Sequence, residues 1–258
     1  MADPNSERAE LARRMLELLD LTRLEDDADD GPVRALCRRA AAFDPAPAAV
    51  CVYPHFIEAA RAELDRCDPG GRIRVATVVN FPAGHADPAA TSEETEAAVA
   101  LGADEIDVVF PWRALLEGDE EVGRELVERC RTAAAGRPVK VILETGELID
   151  AKRIRLASEI ALAGGADFLK TSTGKTATGA TPEAAEVMLE TIRVRQRDAG
   201  LKVSGGVRTF DDAAGYVRLA ARIMGAGWVE PDHFRIGASS LADDLLAVLG
   251  DSGNGSRS

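Results

Sequence analysis

From Leu11 to Leu249 the chain repeats one pattern: a short β-branched run, a breaker, a stretch with helical spacing, and then the next β-branched run. No interdomain linker interrupts it. Strands that alternate with helices build a mostly parallel sheet covered by those helices, so the pattern points to an α/β architecture. A first helix is expected over residues 7–19, with Leu11, Met15 and Leu18 on one face. Strands are expected at 20–22, 49–53, 72–80, 105–110, 139–145, 166–170, 201–204 and 233–237. Helix starts are read at Asp30 with Pro32, at Thr91 with Glu94 as a capping box, at Asp150, and at Thr181 with Pro182. Eight strand–helix repeats in 258 residues, close to the ~250 typical of the fold, indicate a (β/α)8 TIM barrel of eight parallel strands behind an N-terminal helix. The barrel is expected as a single domain over residues 1–250, with 251–258 a flexible Gly/Ser-rich tail. A doubly wound open sheet is the other arrangement the alternation permits.

The sixth strand ends Phe168-Leu169-Lys170-Thr171-Ser172-Thr173-Gly174-Lys175, a lysine set among hydroxyls and a glycine. Strand side chains alternate faces, so Lys170 points where Phe168 points, inward. Only five of the 31 basic residues are lysines, namely Lys140, Lys152, Lys170, Lys175 and Lys202. Arginine stays charged and cannot act as an amine nucleophile, whereas lysine can lose its proton and attack a carbonyl. Lysine retained at a strand end therefore suggests amine chemistry at Lys170. Lys140 and Lys175 stay open between chemistry and structure, and Lys152, on a helix, reads as solvated.

In a barrel the inward polar residues approach one mouth, so Asp20, Asn80, Asp107, Lys140, Lys170 and Lys202 are expected to converge. A nucleophilic lysine needs a pKa below its usual ~10.4, and Lys202 is the neighbour expected to depress it. Asp107, flanked by apolar residues, is read as a partner of Lys202 that moves protons, or else as half of a buried salt bridge. The loops after strands seven and eight carry Gly205-Gly206 and Gly237-Ala238-Ser239-Ser240, which suit a phosphate held by backbone N–H groups and hydroxyls.

A net charge of −13 disfavours nucleic acid and anionic membranes as partners, and no apolar run is long enough to span a bilayer. The first residues lack a basic and an apolar signal region, so the expected location is cytoplasmic. Cys37, Cys51, Cys67 and Cys130 form no CxxC pair and no zinc-type spacing, and His55, His85 and His233 form no HxxH or HExxH motif. No disulfide and no metal are expected.

Six motifs carry a resemblance: Cys51-Val52-Tyr53-Pro54; Asn80-Phe81-Pro82; Gly102-Ala103-Asp104-Glu105-Ile106-Asp107-Val108-Val109; Glu144-Thr145-Gly146-Glu147-Leu148; Lys170-Thr171-Ser172-Thr173-Gly174; and Lys202-Val203-Ser204-Gly205-Gly206-Val207-Arg208-Thr209. With these, residues 11–250 resemble the deoxyribose-phosphate aldolases, Schiff-base aldolases of the barrel class. The resemblance implies that Lys170 is the Schiff-base lysine and that Asp107 and Lys202 relay protons. Asp20, Thr22, Asn80, Thr173, Lys175, Gly205, Gly206, Gly237, Ser239 and Ser240 are expected to face substrate or phosphate. It implies reversible cleavage of 2-deoxyribose 5-phosphate to acetaldehyde and glyceraldehyde 3-phosphate, without a cofactor, in a homo-oligomer such as a dimer. A Schiff-base aldolase with a ketone donor and a non-catalytic sugar-phosphate binding barrel are the competing functions. One departure stands out: several relatives carry a C-terminal tyrosine that reaches the site, whereas the only tyrosines here are Tyr53 and Tyr216.

Overall fold

The computed structural model describes residues 4–195 and 198–254. Its β-branched runs form strands β1 (Leu19–Arg23), β2 (Ala49–Val52), β3 (Arg74–Val79), β4 (Glu105–Val109), β5 (Val139–Ile142), β6 (Phe168–Lys170), β7 (Gly200–Ser204) and β8 (Phe234–Ala238). Each is parallel to the next, and β8 returns to β1 with Leu19 opposite Ile236 and Leu21 opposite Ala238. The closure makes the sheet a barrel and excludes the open sheet. Around it run α1 (Pro4–Glu17), α2 (Gly31–Ala41), α3 (Ile57–Cys67), α4 (Pro88–Ala100), α5 (Trp112–Glu117), α6 (Glu121–Ala133), α7 (Thr145–Leu148), α8 (Ala151–Ala163), α9 (Pro182–Arg195), α10 (Phe210–Met224) and α11 (Leu241–Asn254).

Alternation along the strands divides the core in two. Outward residues such as Val50, Val108, Val141, Leu169, Val203 and Ile236 are buried against the helices in one large cluster. Burying each such side chain contributes about 1.5–3 kcal/mol. Inside the barrel, the apolar filling is a smaller, separate cluster of Leu24, Ala49, Cys51, Ala76 and Val78, mainly from β2 and β3. The remaining strands send charged groups inward. Gly200 shows how tight the interior is: a Cβ there would lie 2.3 Å from Phe168 Cε1.

Several local expectations are corrected. The capping box at Thr91 and Glu94 does not form, because α4 starts earlier, at Pro88, where the Asp87 carboxylate accepts the Ala90 N–H at 3.0 Å. Glu94 instead accepts the backbone N–H of Asn80 at 2.6 Å. Asp30 sits at the start of α2, but its carboxylate pairs with Arg34 at 2.8 Å instead of capping the helix. Asp150 and Thr181 do cap, accepting from Arg153 and Ala184. The short helices α5 and α7 have too few turns to show a period. Helix α11 continues to Asn254, past the expected start of the tail at Asp251, and residues 255–258 of that tail lie outside the described residues. Among the described residues no helix is long and apolar enough to cross a membrane.

Candidate active site

Successive inward positions on β1, β4, β5, β6, β7 and β8 bring Asp20, Glu105, Asp107, Lys140, Lys170, Lys202 and Arg235 together in the barrel interior, all essentially inaccessible to water. Asp107 is the hub. Its Oδ1 accepts from Lys140 Nζ at 2.7 Å, and its Oδ2 accepts from both Lys170 Nζ and Lys202 Nζ at 2.7 Å. Lys202 has a second carboxylate, Asp20, at 2.6 Å, and Lys140 has Glu105 at 2.7 Å. Arg235 closes the ladder towards the N-terminal mouth, donating to Asp20 at 2.6 Å and to Glu105 at 2.9 Å. Among the described residues Lys170 has Asp107 alone as a carboxylate partner, and it sits nearest the opposite, C-terminal mouth.

Burial acts on these groups in different directions. It disfavours the Asp107 anion, but Lys140, Lys170 and Lys202 outweigh it and hold the carboxyl well below its ordinary range. Burial also disfavours the ammonium of Lys202, yet Asp107 and Asp20 overcome it and raise that pKa. The balance for Lys140 is similar, with Asp107 and Glu105 overcoming burial. At Lys170 burial prevails. The pKa falls below the usual lysine value, chiefly by desolvation, with Lys202 adding to the fall and Asp107 opposing it. Lys202 therefore depresses Lys170 as the sequence suggested, but second to desolvation.

Above Lys170 lies a cavity of ≈ 270 Å³ at the C-terminal ends of the strands. Thr22, Arg23, Thr173, Lys175, Ser204, Gly205, Gly206, Arg208, Gly237, Ser239 and Ser240 are among its walls. Its charged lining is mostly basic, Arg23, Lys170, Lys175 and Arg208 against Glu25, in a chain whose net charge is −13. Arg23 is itself paired with Glu25 and Asp27. Gly205 and Gly206 both take left-handed backbone, φ 86° and 88°, which only glycine adopts without strain. A Cβ on Gly237 would come within 2.9 Å of Lys202 Cε and 3.0 Å of Ser204 Cβ, so a larger residue would press on Lys202. The β6 loop is fixed from behind by Glu144, whose buried carboxylate accepts from the Thr173 N–H, the Thr173 hydroxyl and the Thr176 hydroxyl.

A family model described as DeoC/LacD family aldolase matches residues 14–246. The chain belongs to this aldolase family. A Toxoplasma gondii protein provisionally assigned as a deoxyribose-phosphate aldolase is 31% identical, with a TM-score of 0.88, over 95% of this chain and 98% of that one. The deoxyribose phosphate aldolase of Aeropyrum pernix, a tetramer, is 27% identical, with a TM-score of 0.76, over 95% of each chain. A Coccidioides immitis protein, provisionally assigned as a deoxyribose-phosphate aldolase, is 25% identical with a TM-score of 0.80, over 98% of this chain and 99% of that one.

Within this aldolase barrel the residues expected from sequence fall into three groups. Lys170, Thr22, Thr173, Lys175, Gly205, Gly206, Gly237, Ser239 and Ser240 line the cavity. Asp107, Lys202 and Asp20 lie beneath it, in the ion-pair ladder. Asn80 is not among the cavity-lining residues. Its amide donates to the carbonyls of His85 and Val109 at 2.9 and 3.0 Å and accepts the His85 N–H at 2.9 Å, so the side chain fixes the turn between β3 and α4. Glu105, Arg235, Arg23, Arg208 and Glu144 were missed. Glu105 and Arg235 were detectable, since each is a charged residue inside an apolar strand and Glu105 stands two positions before Asp107 on the same face. Arg23, the last residue of β1, and Arg208, beyond the end of β7, carried no such signal. Among the described residues no cluster of three or more His, Cys, Asp or Glu is placed to hold a metal ion.

Proposed function

We propose that this chain is a Schiff-base aldolase that reversibly cleaves 2-deoxy-D-ribose 5-phosphate to acetaldehyde and D-glyceraldehyde 3-phosphate, in cytoplasmic deoxyribose catabolism. The observation that carries the reading is Lys170: an amine at the floor of a basic cavity, desolvated towards its neutral form, with one carboxylate oxygen shared between it and a second amine. Neutral Lys170 attacks the C1 aldehyde, and loss of water leaves a protonated imine. The iminium takes up the electron pair of the C2–C3 bond as it breaks, while the C3 hydroxyl loses its proton to water positioned by Asp107 and Lys202. The first product is glyceraldehyde 3-phosphate. Protonation of the enamine and hydrolysis of the imine then free acetaldehyde and restore the amine.

The phosphate end belongs at the opposite wall, against Gly205, Gly206, Ser239 and Ser240, with Lys175 and Arg208 supplying positive charge. The hydroxyls of Ser239 and Ser240 immediately precede α11, whose first N–H groups favour an anion. A homo-oligomer is part of the same reading, with a dimer as the smallest form, and light scattering measures it. Borohydride added with acetaldehyde should leave an ethyl group on Lys170, found by peptide mass mapping, and Lys170→Arg should abolish both the adduct and cleavage of deoxyribose 5-phosphate. An adduct on Lys140 or Lys175 would refute the assignment. Product analysis with acetaldehyde and acetone as donors separates this aldolase from one that uses ketones.

A further inference from the structure

The charges inside the barrel balance before Lys170 is counted. Asp20, Glu105 and Asp107 supply three negative charges, and Lys140, Lys202 and Arg235 supply three positive ones. Arg74, partly exposed at the N-terminal mouth, adds positive charge against Glu105 at 2.9 Å. A protonated Lys170 is therefore a surplus cation, and one almost wholly buried. It is also the amine with the fewest carboxylates. Lys202 and Lys140 each touch two within 2.7 Å, whereas Lys170 touches only Asp107 Oδ2, which it shares with Lys202.

We propose that Lys140, which does not line the cavity, is a positioning residue that keeps Lys170 uncharged by occupying the carboxylate charge Lys170 would otherwise claim. It does so at both ends of its contacts, binding Asp107 Oδ1 and Glu105 Oε2 at 2.7 Å each. Removal of Lys140 leaves an interior with more negative than positive charge, which an ammonium at Lys170 neutralises. Removal of Glu105 has the opposite effect, because the cations then outnumber the anions. The other groups that face Lys170 stay fixed in both cases. They are Asp20 on β1, Cys51 on β2, Asp107 on β4, Lys202 on β7 and Arg235 on β8, with the Cys51 thiol kept neutral by burial. Arg23, Glu25, Lys175 and Arg208 face it from the cavity. Glu144, beyond β5, is engaged by Thr173 and Thr176.

The inference rests on Lys170 as the Schiff-base lysine, so peptide mapping of the borohydride adduct on the unaltered enzyme comes first. If the adduct is elsewhere, the proposed function fails. With the adduct on Lys170, the acidic limb of kcat/KM and the pH dependence of borohydride trapping are measured for Lys140→Met, Glu105→Gln and the double variant. Lys140→Met should move the acidic limb up by about two to three pH units, the effect of one charge roughly 4–6 Å away at an effective dielectric of ~20, and slow trapping at neutral pH by about tenfold or more. Glu105→Gln should move it down, and the double variant should return it to within roughly half a unit of the original. Single variants that shift the limb in the same direction, or an unmoved limb in Glu105→Gln, would overturn the proposal. Should Lys140→Met not fold in a thermal melt, Glu105→Gln against the double variant decides alone, since loss of Lys140 must then reverse the shift.

Discussion

Asp107→Asn separates the structural use of this carboxylate from its chemical use. In the folded chain Asp107 meets three lysine amines at 2.7 Å, but the substitution does not strand them equally. Lys140 keeps Glu105 at 2.7 Å and Lys202 keeps Asp20 at 2.6 Å, whereas Lys170 loses its one carboxylate and can remain neutral. Removing one member of a buried ion pair commonly costs about 3–5 kcal/mol, and the surviving partners place this case near the lower end, about 3 kcal/mol. With a urea dependence of roughly 2–3 kcal/mol per molar for a chain of this size, the unfolding midpoint should fall by about 1–1.5 M at pH 7. The pH dependence has a definite sign. The Asp107 pKa lies well below its ordinary value, so its stabilisation is fully present above the unfolded pKa of ~3.9 and is lost as the pH falls through the folded value. The gap between the two proteins should therefore hold from pH 7 to about pH 5 and begin to close only below about pH 4. Turnover of deoxyribose 5-phosphate should fall by roughly 10²-fold or more through loss of the proton acceptor, while acetaldehyde still traps on Lys170. Urea melts at several pH values beside steady-state kinetics measure both. A variant with the predicted stability loss but nearly native turnover would make Asp107 a structural ion pair only.

Lys202→Leu should cut turnover by about 10²-fold or more, because it removes the second amine on Asp107 Oδ2, with a cooperative melt retained. Glu144→Gln replaces an acceptor of three donors with an amide that can accept at only one atom, so the Thr173–Lys175 wall should loosen. The expected result is a several-fold rise in KM for the phosphorylated substrate, with trapping by acetaldehyde alone unchanged; an equal loss of both would point to general unfolding. A chain ending after Asp251 should keep most cleavage activity, since among the described residues the cavity lining ends at Ser240, and residues 252–258 contain no aromatic. Deuterium uptake into acetaldehyde, compared with the full chain, tests whether the tail takes part in proton exchange.

The barrel was legible because its signal is distributed over many residues. Eight β-branched runs between helical stretches admit few foldings, and errors of one or two residues at their ends do not change the topology. The α4 start was misread for a local reason: Thr91 and Glu94 match the capping-box spacing, but Asp87 and Pro88 supply a cap and a pre-set first turn one helical turn earlier. At the site, the alternation of a strand was enough to aim Lys170, Asp107 and Lys202 inward. It was not enough for Asn80, which follows the last residue of β3 with φ 54° and turns its amide into the loop. Position after a strand does not fix a side chain's direction, because the backbone there has left the period of two. Lys140 remained undecided for another reason: its role depends on which carboxylates reach it from β4, and the register of β5 against β4 is not written in either strand alone.

Stability does not account for filling a barrel with charge. Barrel interiors are more usually packed with branched apolar side chains, and exchanging buried ion pairs for well-packed apolar groups is often neutral or stabilising. This interior uses the apolar solution on β2 and β3, where Ala49, Cys51, Ala76 and Val78 pack together, and the ionic one on the strands that surround Lys170. What the ionic half provides is an ordered set of donors and acceptors in which the position of each proton is set by its neighbours. An amine placed over an apolar floor would also be neutral, but it would have no carboxylate within reach to take or return a proton. A single carboxylate beneath it would pair with it and hold it charged. Three carboxylates already matched by three other cations meet both needs, leaving Lys170 with a lowered pKa and still 2.7 Å from a proton acceptor. The charges near the N-terminal mouth, remote from the cavity, thus belong to the chemistry at the other end of the barrel.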